Sequence, residues 1–178
     1  MIDRFVQPTL DELRRRGIDY RGVLYTGLMV TDDGPKLVEF NVRFGDPDSQ
    51  VVLLRLTSDL AELLAGAARG SLGDPPTHRD DAAVLVVVAA EGYPRSVRTG
   101  DPIEGLAAAR AVEGVTVFCA GVAASEDGAL LTAGGRVLDV VGQGPDLATA
   151  RARAYTALGH LRWPGAFHRS DIASEVSS

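Results

Sequence analysis

The sequence holds one cysteine, Cys119, so no internal disulfide can form and a disulfide-stapled scaffold is excluded. Basic residues number 18 against 24 acidic ones, for a net charge of −6, and only one of the 18 is a lysine, Lys36. With a pI near 5.0, the chain has no basic footprint for nucleic acid or for anionic membranes. Its longest apolar run, Ala82 to Ala90, falls far short of the roughly 20 residues that span a bilayer. The charged, amphipathic start MIDRFVQPTLDELRRRG lacks the apolar core of a signal peptide, and the expected compartment is the cytoplasm. The three histidines, His78, His160 and His168, are scattered without the spacing of a zinc site. Gly142-Gln-Gly-Pro-Asp-Leu147 lacks the third glycine of a dinucleotide fingerprint, and no glycine-rich stretch ends in Gly-Lys-Ser or Gly-Lys-Thr.

What is present is ordinary for a folded chain: 178 residues, 46% hydrophobic and 24% charged, enough for one domain or two small ones. Thr9 followed by Glu12 has the spacing of a capping box and predicts a helix from Pro8 to Arg16, stopped at Gly17. Two runs rich in strand formers, Tyr20 to Val30 and Pro35 to Arg43, flank Thr31-Asp-Asp-Gly34 and predict a hairpin. Asp46 as N-cap and Pro47 at the first helical position predict a helix over Val51 to Leu56. Thr57-Ser58-Asp59 opens a second helix that ends at Gly70. The segment Gly70 to Asp81, with Gly73, Pro75 and Pro76, reads as a linker, which places domains at 1–73 and 74–178. Beyond it, strands are expected at 82–90 and 115–122, two more around Gly134-Gly135, a helix from Asp146 to Leu158, and a frayed tail from Ser170. Cys119 reads as a small buried strand residue, and Gly134-Gly135 as a primed hairpin turn, with a ligand contact from Arg136 as the sharper alternative. The class is α+β, in two small lobes.

The chemistry concentrates between Leu37 and Asp48. In an extended strand Glu39, Asn41 and Arg43 share one face, while Val38, Phe40 and Val42 share the other. Glu39 and Asn41 then lie about 7 Å apart along the backbone, close enough for a carboxylate and an amide oxygen to converge on one hard cation. Arg43 adds a planar fork suited to phosphate or carboxylate. The plain alternative is a solvated strand face. The turn Phe44-Gly-Asp-Pro-Asp48 favours a ligand, because the helix behind it presents an N-terminus that can hold an anion. Asp46 serves equally as a helix cap, and Asp48 as a complement to the helix dipole.

Gly22-Val-Leu-Tyr-Thr-Gly-Leu-Met29, Val38-Glu-Phe-Asn-Val-Arg-Phe-Gly-Asp-Pro-Asp48, Glu91-Gly-Tyr-Pro94, Thr132-Ala-Gly-Gly-Arg-Val-Leu138 and Arg169-Ser-Asp-Ile172 together resemble the phosphoribosylamine glycine ligase family of ATP-grasp enzymes, also called glycinamide ribonucleotide synthetases. The resemblance implies the second half of an ATP-grasp core, followed by a small β-rich domain like the C-terminal domain of biotin carboxylase. It implies a ligase of purine biosynthesis in which ATP phosphorylates glycine and 5-phosphoribosylamine attacks the acyl phosphate. Glu39 and Asn41 would hold Mg²⁺ or Mn²⁺, Arg43 would stabilise charge on the transferring phosphoryl group, Asp46 and Asp48 would meet the amine-bearing substrates, and Met29 would lie under adenine. Two positions depart from the family pattern: Asp48 replaces a glutamate, and Ala173 replaces the glycine after Asp-Ile. With Lys36 as its single lysine, the chain lacks the lysines and glycine-rich loop that cradle the phosphates. The expected partner is therefore the missing N-terminal part of the same ligase, and the chain alone is expected to be inactive. The competing readings are a non-catalytic binding module of ATP-grasp origin and another ATP-grasp ligase, of the carboxyaminoimidazole-forming or biotin carboxylase kind.

Overall fold

The computed structural model describes residues 1–175. Contacts divide the chain into two compact units, one of Met1–Val52 with Leu56–Arg79, the other of Leu53–Arg55 with the residues from Asp80 on.

The first unit opens with a π-helical turn, Ile2–Val6, that runs straight into helix α1, Gln7–Arg15. The helix forms where expected, but the capping box does not. Thr9 sits inside the helix and donates its hydroxyl to the Phe5 carbonyl one turn back, while Glu12 pairs with Arg15 and Arg16. The hairpin is strands β1, Tyr25–Thr31, and β2, Gly34–Asn41, paired antiparallel. β2 stops at Asn41, so Arg43 lies in a bend past the strand and strict alternation does not govern where it points. Helix α2, Asp48–Arg55, begins earlier than Val51, and Asp46 and Pro47 form a turn ahead of it. Helix α3, Leu60–Arg69, is capped as the sequence indicates: Asp59 accepts from the Ala61 and Glu62 amides, and Gly70 closes the other end at φ 76°. In this unit the only buried residues are two glycines, Gly45 and Gly66.

The second unit has a conventional core. Strands β3, Ala82–Ala89, β4, Val115–Cys119, and β7, Arg136–Gly144, form an antiparallel sheet in the order β3-β7-β4. β7 is flanked on both sides and is buried along nearly its whole length. Helix α5, Leu147–Leu158, capped by Asp146 on the Thr149 amide, lays Ala150, Ala154, Ala157 and Leu158 into the core with Val86, Val88, Leu138 and Val140. Gly142 allows this approach, since a Cβ there would stand 2.1 Å from the Ala150 carbonyl oxygen. A short helix, α4, Leu106–Arg110, adds buried Ala109 and was not signalled by the sequence pattern.

Four expectations for this unit are corrected. The run 115–122 is interrupted: β4 ends at Cys119 and a separate strand β5, Val122–Ala124, pairs with β6, Leu130–Thr132. Gly134-Gly135 is not a hairpin turn, because β6 pairs with β5 whereas β7 pairs with β3 and β4. Those glycines instead admit close neighbours, as a Cβ on Gly135 would lie 2.2 Å from the Tyr93 ring. Cys119 is exposed, since it is the last residue of an edge strand with no further strand beyond it. The segment after Ser170 is held rather than frayed. Arg151 donates to the carbonyls of Ser170 and Ile172, and the Tyr155 hydroxyl donates to the Arg169 carbonyl and accepts from the Ile172 amide. Residues 176–178 of that tail lie outside the described residues.

Ala173, which packs against this core, has φ 56°, a left-handed conformation that glycine adopts without strain. Ala173→Gly is expected to stabilise the second unit by about 1 kcal/mol, the cost of a side chain in that region. Urea denaturation checks this, and a destabilised variant would contradict it.

Candidate functional site

The site is built on the β1–β2 sheet. Opposite residues in the ladder are Tyr25 with Asn41 and Gly27 with Glu39, and paired residues of an antiparallel ladder project to the same face. The packing agrees. A Cβ on Gly27 would meet the Glu39 side chain at 3.1 Å and the Tyr25 ring at 3.5 Å, so the missing side chain leaves the space that Glu39 occupies. Asn41 Nδ2 donates to Glu39 Oε1 at 2.9 Å, which joins carboxylate and amide as a pair. That bond leaves Glu39 Oε2 and Asn41 Oδ1 as acceptors.

The two oxygens suit a hard cation that keeps water or phosphate oxygens in its remaining positions, which is how Mg²⁺ is usually held. Among the described residues no group of three or more His, Cys, Asp or Glu could hold a metal by itself.

Asp48, the first residue of α2, reaches the same face. Its carboxylate acts electrostatically on the Tyr25 hydroxyl, and a Cβ on Gly45 would come within 2.6 Å of it. Burial pushes the Tyr25 hydroxyl above its ordinary pKa, the Asp48 and Glu39 carboxylates add to that, and Arg43 opposes it. Tyr25, Glu39, Asn41, Asp48 and the charge of Arg43 thus form one neighbourhood. Arg43 donates to the Phe44 carbonyl at 2.9 Å, which anchors the bend that carries it. Asp46 turns to α2 and accepts from Gln50 at 3.1 Å. Met29, two residues beyond Gly27 on β1, is 58% exposed.

Tyr25 was not singled out by its residue type. Its role follows from the register that sets it opposite Asn41, and the cue in the sequence was its position two residues before Gly27.

The fold defines the class: the chain has the architecture of an ATP-grasp enzyme of the kind that carries a glycinamide ribonucleotide synthetase C domain. The crystal structure of phosphoribosylamine–glycine ligase from Thermotoga maritima superposes with a TM-score of 0.82 at 37% identity, over 97% of this chain and 42% of that one. N5-carboxyaminoimidazole ribonucleotide synthetase from the same organism shares the fold at a TM-score of 0.59 and 18% identity. Family models described as the phosphoribosylglycinamide synthetase ATP-grasp (A) domain and C domain match residues 1–49 and 83–175. The chain belongs to the phosphoribosylglycinamide synthetase family. Similar curated relatives include phosphoribosylamine–glycine ligases of Streptomyces coelicolor, 49% identical over 99% of this chain, and of Phenylobacterium zucineum, 52% identical over 95%. The chain spans 43% and 40% of the length of those two relatives. No helix among the described residues is long and apolar enough to cross a membrane.

Removal of the Asp48 charge is expected to lower the Tyr25 pKa, because a neighbouring carboxylate disfavours the phenolate. In Asp48→Asn the tyrosinate absorbance assigned to Tyr25, by difference from Tyr25→Phe, should develop at lower pH than in the parent. An unshifted titration would separate the two side chains.

Proposed function

We propose that this chain is the C-terminal part of an ATP-dependent carboxylate–amine ligase that joins glycine to 5-phosphoribosylamine, giving glycinamide ribonucleotide, ADP and phosphate in the cytoplasm. The observation that carries this reading is the hydrogen-bonded Glu39–Asn41 pair on the face shared with Tyr25 and Asp48. Glu39 and Asn41 would hold Mg²⁺ or Mn²⁺, which when bound would neutralise charge on the nucleotide phosphates. Arg43, whose charge reaches Tyr25 on this face, stabilises negative charge on the transferring phosphoryl group and on the glycyl phosphate. Asp48 and Asp46 accept hydrogen bonds from the amines of the two substrates. Met29 offers an apolar surface under the adenine.

The same unit also supports dependence on a partner. A two-stranded sheet with two open edges is marginal alone, and this one exposes Met29, Val30, Leu37 and Val38, with Val42 and Phe44 exposed just past it. Its cover is the remaining part of the ATP-grasp lobe, which the relatives carry in the majority of their length that this chain does not span. That part also brings the lysines for the phosphates.

The isolated chain is expected to form no glycinamide ribonucleotide from ATP, glycine and phosphoribosylamine. Turnover should appear when the preceding portion of the Streptomyces coelicolor relative is supplied as a second polypeptide, and unaided turnover would refute the dependence. In the assembled protein, Glu39→Gln should cut the rate about 100-fold, the scale of losing electrostatic stabilisation at a phosphoryl transfer site. It should also weaken Mn²⁺ binding as read by electron paramagnetic resonance. Unchanged Mn²⁺ affinity would remove Glu39 from the cation site.

A further inference from the structure

The β1–β2 ladder is regular except at one step. Gly27 pairs with Glu39 but Leu28 pairs with Leu37, so one residue of β1 is matched by two of β2 and Val38 is left over. Strict alternation along β2 would set Lys36 on the face opposite Glu39. The extra residue reverses this, because beyond it Lys36 pairs with Met29. Met29 follows Tyr25 and Gly27 at spacing two on β1, so Lys36 stands on the face of Glu39 and Asn41, about 7 Å from the Gly27–Glu39 pair along the strand. Lys36 is exposed and, among the described residues, makes no ion pair or hydrogen bond.

We propose that Lys36 is an anion-binding residue of this face and contacts the phosphate chain of the nucleotide, an assignment that rests on the ligase reading above. Three features argue for it. A lysine ammonium is a compact point charge with three donors on a flexible stem, well suited to phosphate oxygens. Glu39 and Asn41 lie one step along the same face, so an anion held on a cation there comes within reach of the ammonium. Arg43 follows Asn41 in the bend just past β2, so the two cations of this stretch flank the carboxylate–amide pair along the chain.

Lys36 is the single lysine of the chain, which gives a direct test. The chain is assembled with the separately produced preceding portion of the Streptomyces coelicolor relative, and acetylation of the Lys36 peptide is followed by mass spectrometry with and without Mg²⁺ and ADP. At about ten times Kd, ADP should slow acetylation about tenfold by mass action. Lys36→Gln should raise the KM for ATP about tenfold with kcat within about twofold, and Lys36→Arg should recover most of the loss, a pattern that a purely structural role would not produce. Turnover with Lys36 acetylated equally fast in both conditions, or an unchanged KM for ATP in Lys36→Gln, overturns the assignment and leaves the ligase reading standing. Absence of both turnover and protection overturns the two together.

Discussion

Pairing of Gly27 with Glu39 is the interaction on which the candidate site rests. Backbone hydrogen bonds in an antiparallel ladder set opposite residues on one face, and side-chain period two then orders every neighbour. From that single pair follow Tyr25 opposite Asn41, the room beside Gly27 that Glu39 fills, and the Asn41 to Glu39 hydrogen bond. The one irregular step in the ladder acts on the same order. A leftover residue at Val38 changes which side chains on β2 face the pair, without altering Tyr25, Gly27, Glu39 or Asn41.

The two units solve the problem of burial differently. In the second unit β7 lies between two strands and beneath α5, and the alanines of that helix meet Gly142 closely enough to exclude any side chain there. The C-terminal segment is pinned to that core by Arg151 and Tyr155. The first unit buries no large side chain and carries the polar pair on a sheet of two strands. Its hydrophobic residues Met29, Val30, Leu37 and Val38 lie exposed. In this chain the buried core and the polar pair therefore belong to different units.

Much of this was legible from residue order. The hairpin, the α3 caps at Asp59 and Gly70, the α5 cap at Asp146, the apolar strand at 82–89 and the α+β class all follow from local propensity and hydrophobic period. The convergence of Glu39 and Asn41 was legible too, because both lie on one strand at spacing two. What failed were readings that needed a partner element: the capping box at Thr9, the turn at Gly134-Gly135, the burial of Cys119, and the frayed tail. A hydroxyl bonds backward or forward according to where the helix has already begun, and a glycine pair serves a turn only if its flanking strands pair with each other. Side chains of Arg151 and Tyr155, far along the chain, decide whether residues near 170 are ordered.

By itself the sequence determined the element types, the family and the carboxylate–amide pair, since these depend on neighbours within a few residues. Tertiary structure alone decided that Tyr25 and Asp48 join that pair, and that Lys36 stands on its face rather than behind it. The physical reason is register. Period two predicts faces only within an unbroken ladder, and one unmatched residue, visible only once β1 lies beside β2, inverts the faces of everything beyond it.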